Sequence, residues 1–63
     1  MSKILVDDLI YKGYEIYISK ESEGYYSGDA HYNGELSFSV TGFEDVDEVE
    51  SRAMDMIDKI NRF

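Results

Sequence analysis

The chain has 63 residues, of which 14 are acidic and 6 basic, for a formal net charge of −8. This charge argues against binding nucleic acid through its phosphates and against docking on an anionic membrane, because both need a footprint of Lys and Arg. No apolar run approaches the ~20 residues that span a bilayer, no signal peptide is visible, and the lack of Cys excludes disulfides and thiolate metal sites.

The composition predicts one small domain, residues 1–63, that works in the cytoplasm. A chain of this length buries little surface on folding, so self-association into a homodimer would be a natural source of extra stability. We expect no cofactor, since Cys is absent and the single His31 cannot hold a metal alone.

Residues 1–8 have the weakest pattern. Ile4, Leu5 and Val6 form a short apolar run that is compatible with an edge strand, a swapped arm or a frayed tail. The two acidic residues that follow, Asp7 and Asp8, are expected to end this run.

Residues 9–19 (LIYKGYEIYIS) predict the first strand, because they are rich in β-branched and aromatic side chains. Alternation places Tyr14, Ile16 and Ile18 on one face of this strand. Gly13 lies inside the predicted strand and indicates a β-bulge or the close approach of another backbone.

Residues 25–32 and 35–41 predict two further strands. They are joined by Asn33-Gly34, the dipeptide most typical of a two-residue hairpin turn. The small Gly28 would let a helix approach the sheet, so we expect its face to point inward. The side chains predicted to face inward are Tyr26, Gly28, Ala30 and Tyr32 on one strand and Leu36, Phe38 and Val40 on the other.

Residues 45–61 predict the single helix, which is amphipathic at ~100° per residue. Its apolar stripe consists of Val46, Val49, Ala53, Met56, Ile57 and Ile60. Asp45 is the predicted N-cap, and Glu48 completes a capping box with it. Lys59 and Arg62 stand near the other end, where the helix dipole favours cations.

These elements predict an α+β fold, in which a three-stranded antiparallel β-meander carries the C-terminal helix on one face. The opposite face would remain open to solvent, and we expect a partner to bind this open face, the edge of the first strand, or both. The candidate residues on the open face are Glu15, Tyr17, Tyr25, Asp29, His31 and Ser37.

Three other kinds of site are considered and none is predicted. Asp29 and His31 share a strand face with neighbouring serines, but an open sheet face has no oxyanion hole and does not exclude water. The acidic residues at the helix start lack the spacing of a calcium loop. Tyr17 and Tyr25 could stack bases, but the net charge opposes this. We therefore predict no catalytic, cofactor-binding or metal-binding residue, and a protein that is not an enzyme.

The order of elements resembles a known family. The run YEIYIS from Tyr14, the run EGYY from Glu23, a further strand and an acidic helix start with Val49 and Ala53 look like the small β-β-β-α domain of HicB antitoxins, which has a partial RNase-H-like fold. The resemblance covers residues 14–60. The family's Pro-Asp-x-Pro-Gly segment and its appended DNA-binding domain are missing. The resemblance implies an architecture and protein-facing, non-enzymatic work, not specific binding residues.

Two functions follow as hypotheses. The first is a small protein-interaction or regulatory module, similar to an antitoxin, whose protein partner is unknown and which contacts neither nucleic acid nor membrane directly. The second is an acidic decoy that imitates nucleic acid and occupies a DNA- or RNA-binding protein, because regularly spaced carboxylates speed association with a basic target.

Overall fold

The computed structural model describes residues 3–21 and 23–61, which form four β-strands followed by one helix. The strands are β1 (Ile4–Tyr11), β2 (Tyr14–Lys20), β3 (Tyr26–Tyr32) and β4 (Glu35–Phe43), and the helix is α1 (Val46–Ile60). All neighbouring strands pair antiparallel in the order β1-β2-β3-β4. The predicted α+β class, with a C-terminal helix on an antiparallel sheet, is confirmed. The predicted number of three strands is wrong.

The additional strand arises because residues 9–19 contain a chain reversal. Lys12 and Gly13 have φ values of 52° and 87°, and the residues on either side, Tyr11 and Tyr14, pair with each other. Two positive φ values in a two-residue loop are the signature of a type I′ hairpin turn. Gly13 is therefore a turn residue, and its prediction as a bulge or a close backbone approach within one strand is wrong.

Strand β1 extends back through the acidic pair to Ile4. Asp7 and Asp8 end the apolar run but do not end the strand, because both pair with residues of β2. The irregularity lies one position earlier, where the pairing register shifts between Leu5 and Asp7. Of the segment predicted as an edge strand, arm or tail, residues 4–8 lie in this edge strand and residues 1 and 2 lie outside the described residues.

The core lies between α1 and the inner face of β2, β3 and β4. Its buried apolar side chains are Tyr14, Ile16, Ile18, Ala30, Val49, Ala53 and Ile57. Helix and sheet approach each other closely at Gly28, where an added Cβ would lie 2.7 Å from Cγ1 of Val49. The prediction that a small residue here admits the helix is confirmed.

The helix begins as its capping residues predict. Oδ1 of Asp45 accepts a hydrogen bond from the backbone N–H of Glu48 at 2.9 Å, and Oε1 of Glu48 accepts one from the N–H of Glu44 at 3.3 Å. The backbone N–H of Asn61 closes the other end by donating to the carbonyl of Ile57 at 3.0 Å. The predicted basic residue Arg62 lies outside the described residues.

Strand β4 departs from the predicted alternation at one end. Ala30 pairs with Phe38 but His31 pairs with Leu36, so Ser37 is an extra residue that forms a bulge. The bulge turns Leu36 to the same side as His31, where it is 60% exposed. The prediction that Leu36 points inward is therefore wrong.

The other inward positions predicted for the strands pack as expected, with one exposed at the end of the sheet, whereas Ile60 of the predicted apolar stripe is 47% exposed. Phe38 and Val40 pack against the core. Tyr32 stacks on Tyr14 with the ring centres 4.8 Å apart, yet it remains 47% exposed. Within the described ranges, no helix has the length and apolar character needed to cross a bilayer.

Candidate functional site

The candidate site is the sheet face opposite α1, which we call the open face. Directly paired residues of neighbouring strands point to the same side of a sheet, so the pairing register defines this face. One row across the four strands consists of Ile10, Glu15, His31 and Leu36, and the next consists of Asp8, Tyr17, Asp29 and Ser39.

Apolar side chains stand at the two ends of the first row. Ile10 is 72% exposed at the β1 end, and Leu36 is 60% exposed at the β4 end. The sequence-based list of site residues missed both. Ile10 is absent from that prediction because residues 9–19 predict one continuous strand, and the turn at Lys12 and Gly13 is the signal that places Ile10 on a separate strand. Leu36 was missed because no residue pattern marks the bulge beside it.

The centre of the open face is a cluster of three predicted site residues. The Tyr17 hydroxyl donates to Oε1 of Glu15 at 3.2 Å, and the Tyr17 ring meets the His31 ring edge-on with the centres 5.4 Å apart. This hydrogen bond to Glu15, together with the carboxylate's negative charge, raises the pKa of Tyr17 above its usual value. Tyr17 therefore stays protonated and keeps its donor on the carboxylate.

Asp29 belongs to the same face but is held by its own neighbours. Its carboxylate accepts from Oγ of Ser39 at 2.8 Å and from Nζ of Lys3 at 3.4 Å. Lys3 also lies 3.9 Å from Glu21, which accepts from Oγ of Ser27 at 2.8 Å. Asp29 thus closes a polar corner of the fold, and this bonding accounts for it without a partner.

The hydroxyl, imidazole and carboxylate groups do not align in the order that nucleophilic catalysis uses. The Ser39 hydroxyl donates to the carboxylate of Asp29, whereas a nucleophile must give its proton to the imidazole. Nδ1 of His31 is buried with no hydrogen-bond partner among the described residues.

Two predicted site residues lie away from the central cluster. Tyr25 precedes β3 and is 49% exposed; its carbonyl accepts from the N–H of Glu21 at 2.7 Å in the connecting loop. Ser37 is the exposed extra residue of the β4 bulge. The structure therefore brings together Glu15, Tyr17, Asp29 and His31 and leaves Tyr25 and Ser37 at the margins.

Two concave places have chemically different linings. A depression of about 190 Å³ at the β1 side of the open face is lined by Asp8, Leu9, Ile10, Glu15 and Tyr17. It is smaller than the ~300–1,000 Å³ typical of ligand pockets and matches one inserted side chain. A shallow groove of about 410 Å³ along α1, which we call the helix groove, is lined by Phe43, Asp45, Asp47, Glu48, Ser51, Arg52 and Asp55.

The acidic residues at the helix start have structural roles. Asp45 and Glu48 accept backbone hydrogen bonds there, which accounts for two of the carboxylates that a cation would need. Over residues 3–21 and 23–61, no group of three His, Asp or Glu side chains is placed to hold a metal ion.

Comparison with known proteins gives no relative. The chain matches no family model, no curated protein and no solved structure. The arguments below therefore rest on the residues and the geometry.

Proposed function

We propose that this protein is a non-catalytic interaction module that regulates a protein partner by contact through the open face. The observation that carries the proposal is the row with Ile10 and Leu36 exposed at its ends and Glu15 and His31 between them. Single exposed apolar residues are common on protein surfaces. Two of them on the opposite edge strands, with the Tyr17 ring in the row beside theirs, form an extended surface with apolar anchors.

The chemistry of the open face favours a protein over a small molecule. Protein interfaces combine apolar and aromatic anchors with hydrogen-bonding groups, and here Ile10 and Leu36 are the anchors and Glu15 and Tyr17 the polar groups. The depression beside Ile10 suits one side chain of a partner. The net charge of −8 would speed association with a partner that carries a basic rim.

The resemblance to HicB-type domains supports the regulatory part of the proposal. Residues 14–60 span β2, β3, β4 and α1, so the β-β-β-α order is retained within them and β1 precedes it. The proposal takes the protein to act in the cytoplasm, in agreement with its lack of Cys.

Site-specific crosslinking in the source cell tests the proposal. A photoreactive amino acid placed at position 10 or 36 is expected to crosslink one discrete partner, and the same group at the exposed Ser51 of α1 is expected not to. Light scattering of the purified protein then shows whether the partner is a second copy. A monomer that gives no discrete crosslink from either open-face position would refute the proposal.

The helix groove favours a second candidate, the nucleic-acid decoy. Four carboxylates line it, from Asp45, Asp47, Glu48 and Asp55, against the single cation of Arg52. In this case the crosslink would come from position 51 and not from position 10 or 36. Binding to the target would compete with DNA and weaken as salt rises. Competition that does not weaken with salt would contradict the decoy function.

A further inference from the structure

The free edge of β1 is a second surface with backbone groups available for pairing. Among residues 3–21 and 23–61, β1 is the first strand of the sheet and pairs with β2 alone. An edge strand exposes N–H and C=O groups that another strand can use. β4 is the opposite edge, but its register shifts at two places, whereas β1 pairs without a shift from Asp7 to Tyr11.

The turn after β1 determines which of its backbone groups point outward. In a type I′ turn, the carbonyl of Tyr11 accepts from the N–H of Tyr14, so this is a hydrogen-bonded pair. Hydrogen-bonded and non-hydrogen-bonded pairs alternate along an antiparallel ladder. The N–H and C=O groups of Asp8 and Ile10 therefore point away from β2, towards the free edge.

The side chains of β1 combine exposed apolar residues with an acidic pair. Ile4, Leu5, Val6 and Ile10 are large apolar residues and all are exposed. The acidic pair Asp7 and Asp8 lies between them, with one side chain on each face of the sheet. An added strand would thus meet apolar neighbours at both ends and a carboxylate on each face in the middle.

Other carboxylates surround this acidic pair. On the helix side, burial followed by the negative charges of Asp7 and Asp47 raises the pKa of Glu50. On the open face, Glu15 lies in the row next to that of Asp8. A cation placed at the edge would relieve this repulsion on either face.

The same charges decide between a second copy and a different partner. If two copies of β1 pair antiparallel about the middle of the strand, Asp7 stands opposite Asp7 of the second copy, or Asp8 opposite Asp8, because directly paired residues point to the same side of a sheet. Like charges directly opposite each other destabilise strand pairing, whereas opposite charges stabilise it. Charge complementarity therefore selects a basic strand.

We propose that the free edge of β1 receives an extended segment of the partner protein as a fifth strand, with two adjacent basic residues opposite Asp7 and Asp8 and apolar residues on both sides of them. Backbone pairing at Asp8 and Ile10 supplies the hydrogen bonds, as in other cases of strand addition. The inference rests on the proposed function in taking a protein as the partner, but it uses the sheet edge in addition to the open face.

The probe is a capped synthetic peptide with two central lysines flanked by valine and threonine, titrated into isotopically labelled protein. Strand addition is expected to shift the amide signals of Asp8 and Ile10 and to protect them from hydrogen exchange, with less change at Leu9, which already faces β2. Two further peptides carry N-methyl groups on alternate backbone amides, one peptide at the even-numbered and the other at the odd-numbered amides. The peptide whose methylated amides face β1 is expected to bind at least about tenfold more weakly, an effect of ~1.4 kcal/mol. The other peptide is expected to retain its binding.

Charge variants provide the matched control. The double variant Asp7→Asn/Asp8→Asn is expected to bind the lysine peptide about 2- to 30-fold more weakly, because two pairs of opposite charges are lost. The variant Glu35→Gln/Asp55→Asn changes the net charge equally at exposed positions away from β1 and is expected to bind nearly as the parent does. Equal losses in both variants would overturn the inference, because the attraction would then be a property of the whole protein.

A third variant separates the edge from the open face. Leu36→Ser removes an exposed anchor on the far strand and is expected to leave edge binding unchanged. If Leu36→Ser weakens binding of the lysine peptide and the two N-methylated peptides bind equally, strand addition is refuted and docking across the open face is supported. A peptide that does not bind at all also refutes strand addition, and the crosslinks from positions 10 and 36 then decide the proposed function independently.

Discussion

Replacement of Gly28 by Ala tests the close approach of helix and sheet on which this fold depends. An added Cβ would lie 2.7 Å from Cγ1 of Val49 and 3.5 Å from Cγ2 of Val40. The second distance is an ordinary contact, whereas the first is well below the ~3.5 Å at which carbon atoms attract each other. Val49 is completely buried, so its side chain has no free space into which to move.

The expected loss of stability follows from how far helix and sheet must move apart to make room for the new methyl group. Relief of the contact needs about 3.5 − 2.7 = 0.8 Å of movement, and a gap of 0.5–1 Å forfeits a quarter to a half of each affected contact. Overpacking of this kind costs ~1–3 kcal/mol, and the lower entropy of the unfolded chain returns ~0.4–1 kcal/mol. We expect Gly28→Ala to lower the free energy of unfolding by about 1–2 kcal/mol, or roughly 4–16 °C in Tm for so small a domain.

The measurement is urea unfolding followed by far-UV circular dichroism, with Val49→Ala and the double variant completing a cycle. Val49→Ala alone removes two buried carbon atoms, at ~0.8 kcal/mol each plus a cavity term, so we expect a loss of about 2–3 kcal/mol. In the double variant, the methyl group at position 28 occupies the space left by Cγ1. The double variant should therefore be more stable than the sum of the two single changes predicts, by about 1 kcal/mol.

Either of two results would refute this reasoning. A Gly28→Ala variant at least as stable as the parent would show that helix and sheet are not in such close contact. Strict additivity in the cycle would show that Gly28 and Val49 do not share the same space.

Three further changes test other features of the fold. Glu50→Gln should raise the free energy of unfolding at neutral pH. The folded-state pKa of Glu50 lies above its ordinary 4.5, so the protonated carboxyl stabilises the fold fully below that pH. This stabilisation is lost as the pH rises through the folded-state value, and Gln, which carries no charge, avoids the loss. Urea unfolding at several pH values checks this, and a gain that persists in acid would contradict the role of Asp7 and burial. Gly34→Ala, at φ 81° with no atom near the new Cβ, should lower the free energy of unfolding by about 1 kcal/mol from backbone strain alone. Gly13→Ala, at φ 87° and 3.3 Å from Cε1 of Tyr32, should lower it further, and equal losses in the two variants would argue against contact with Tyr32.

Features that depend on neighbouring residues in the chain were predictable. The helix follows from the 3.6-residue spacing of Val49, Ala53 and Ile57 and from the cap at Asp45, and all four behave as expected. The hairpin at Asn33-Gly34 follows from its turn chemistry, since Asn33 takes a φ of 54° and Gly34 one of 81°. Helix periodicity and turn conformation are local, so a single sequence displays them directly.

The first hairpin was missed because its turn residues gave a weaker signal. Lys12 adopts a φ of 52°, a conformation uncommon for a residue other than Gly, Asn or Asp. Gly13 alone was equally consistent with a bulge inside a longer strand. The competition between these two interpretations is resolved by pairing, because only a turn lets Leu9 face Ile16 across the sheet.

The candidate site was predicted in its centre and missed at its ends. Glu15, Tyr17 and His31 share a face because β2 and β3 pair without interruption, and simple alternation is sufficient to find them. Leu36 required knowledge of the bulge in β4, and Ile10 required knowledge of the additional strand. Both depend on which residue of a neighbouring strand each one opposes.

The amino-acid sequence by itself determined the helix and its N-cap, the turn at Asn33-Gly34, the inward face of β2 and the strongly acidic surface. Each of these depends on spacing along the chain or on composition. Only the tertiary structure decided that the sheet has four strands, that Ser37 forms a bulge and that Ile10 and Leu36 stand at the ends of the open face. A shift of one residue in pairing moves a side chain to the other side of a sheet. The pairing itself is set by contacts between strands, which no local pattern records.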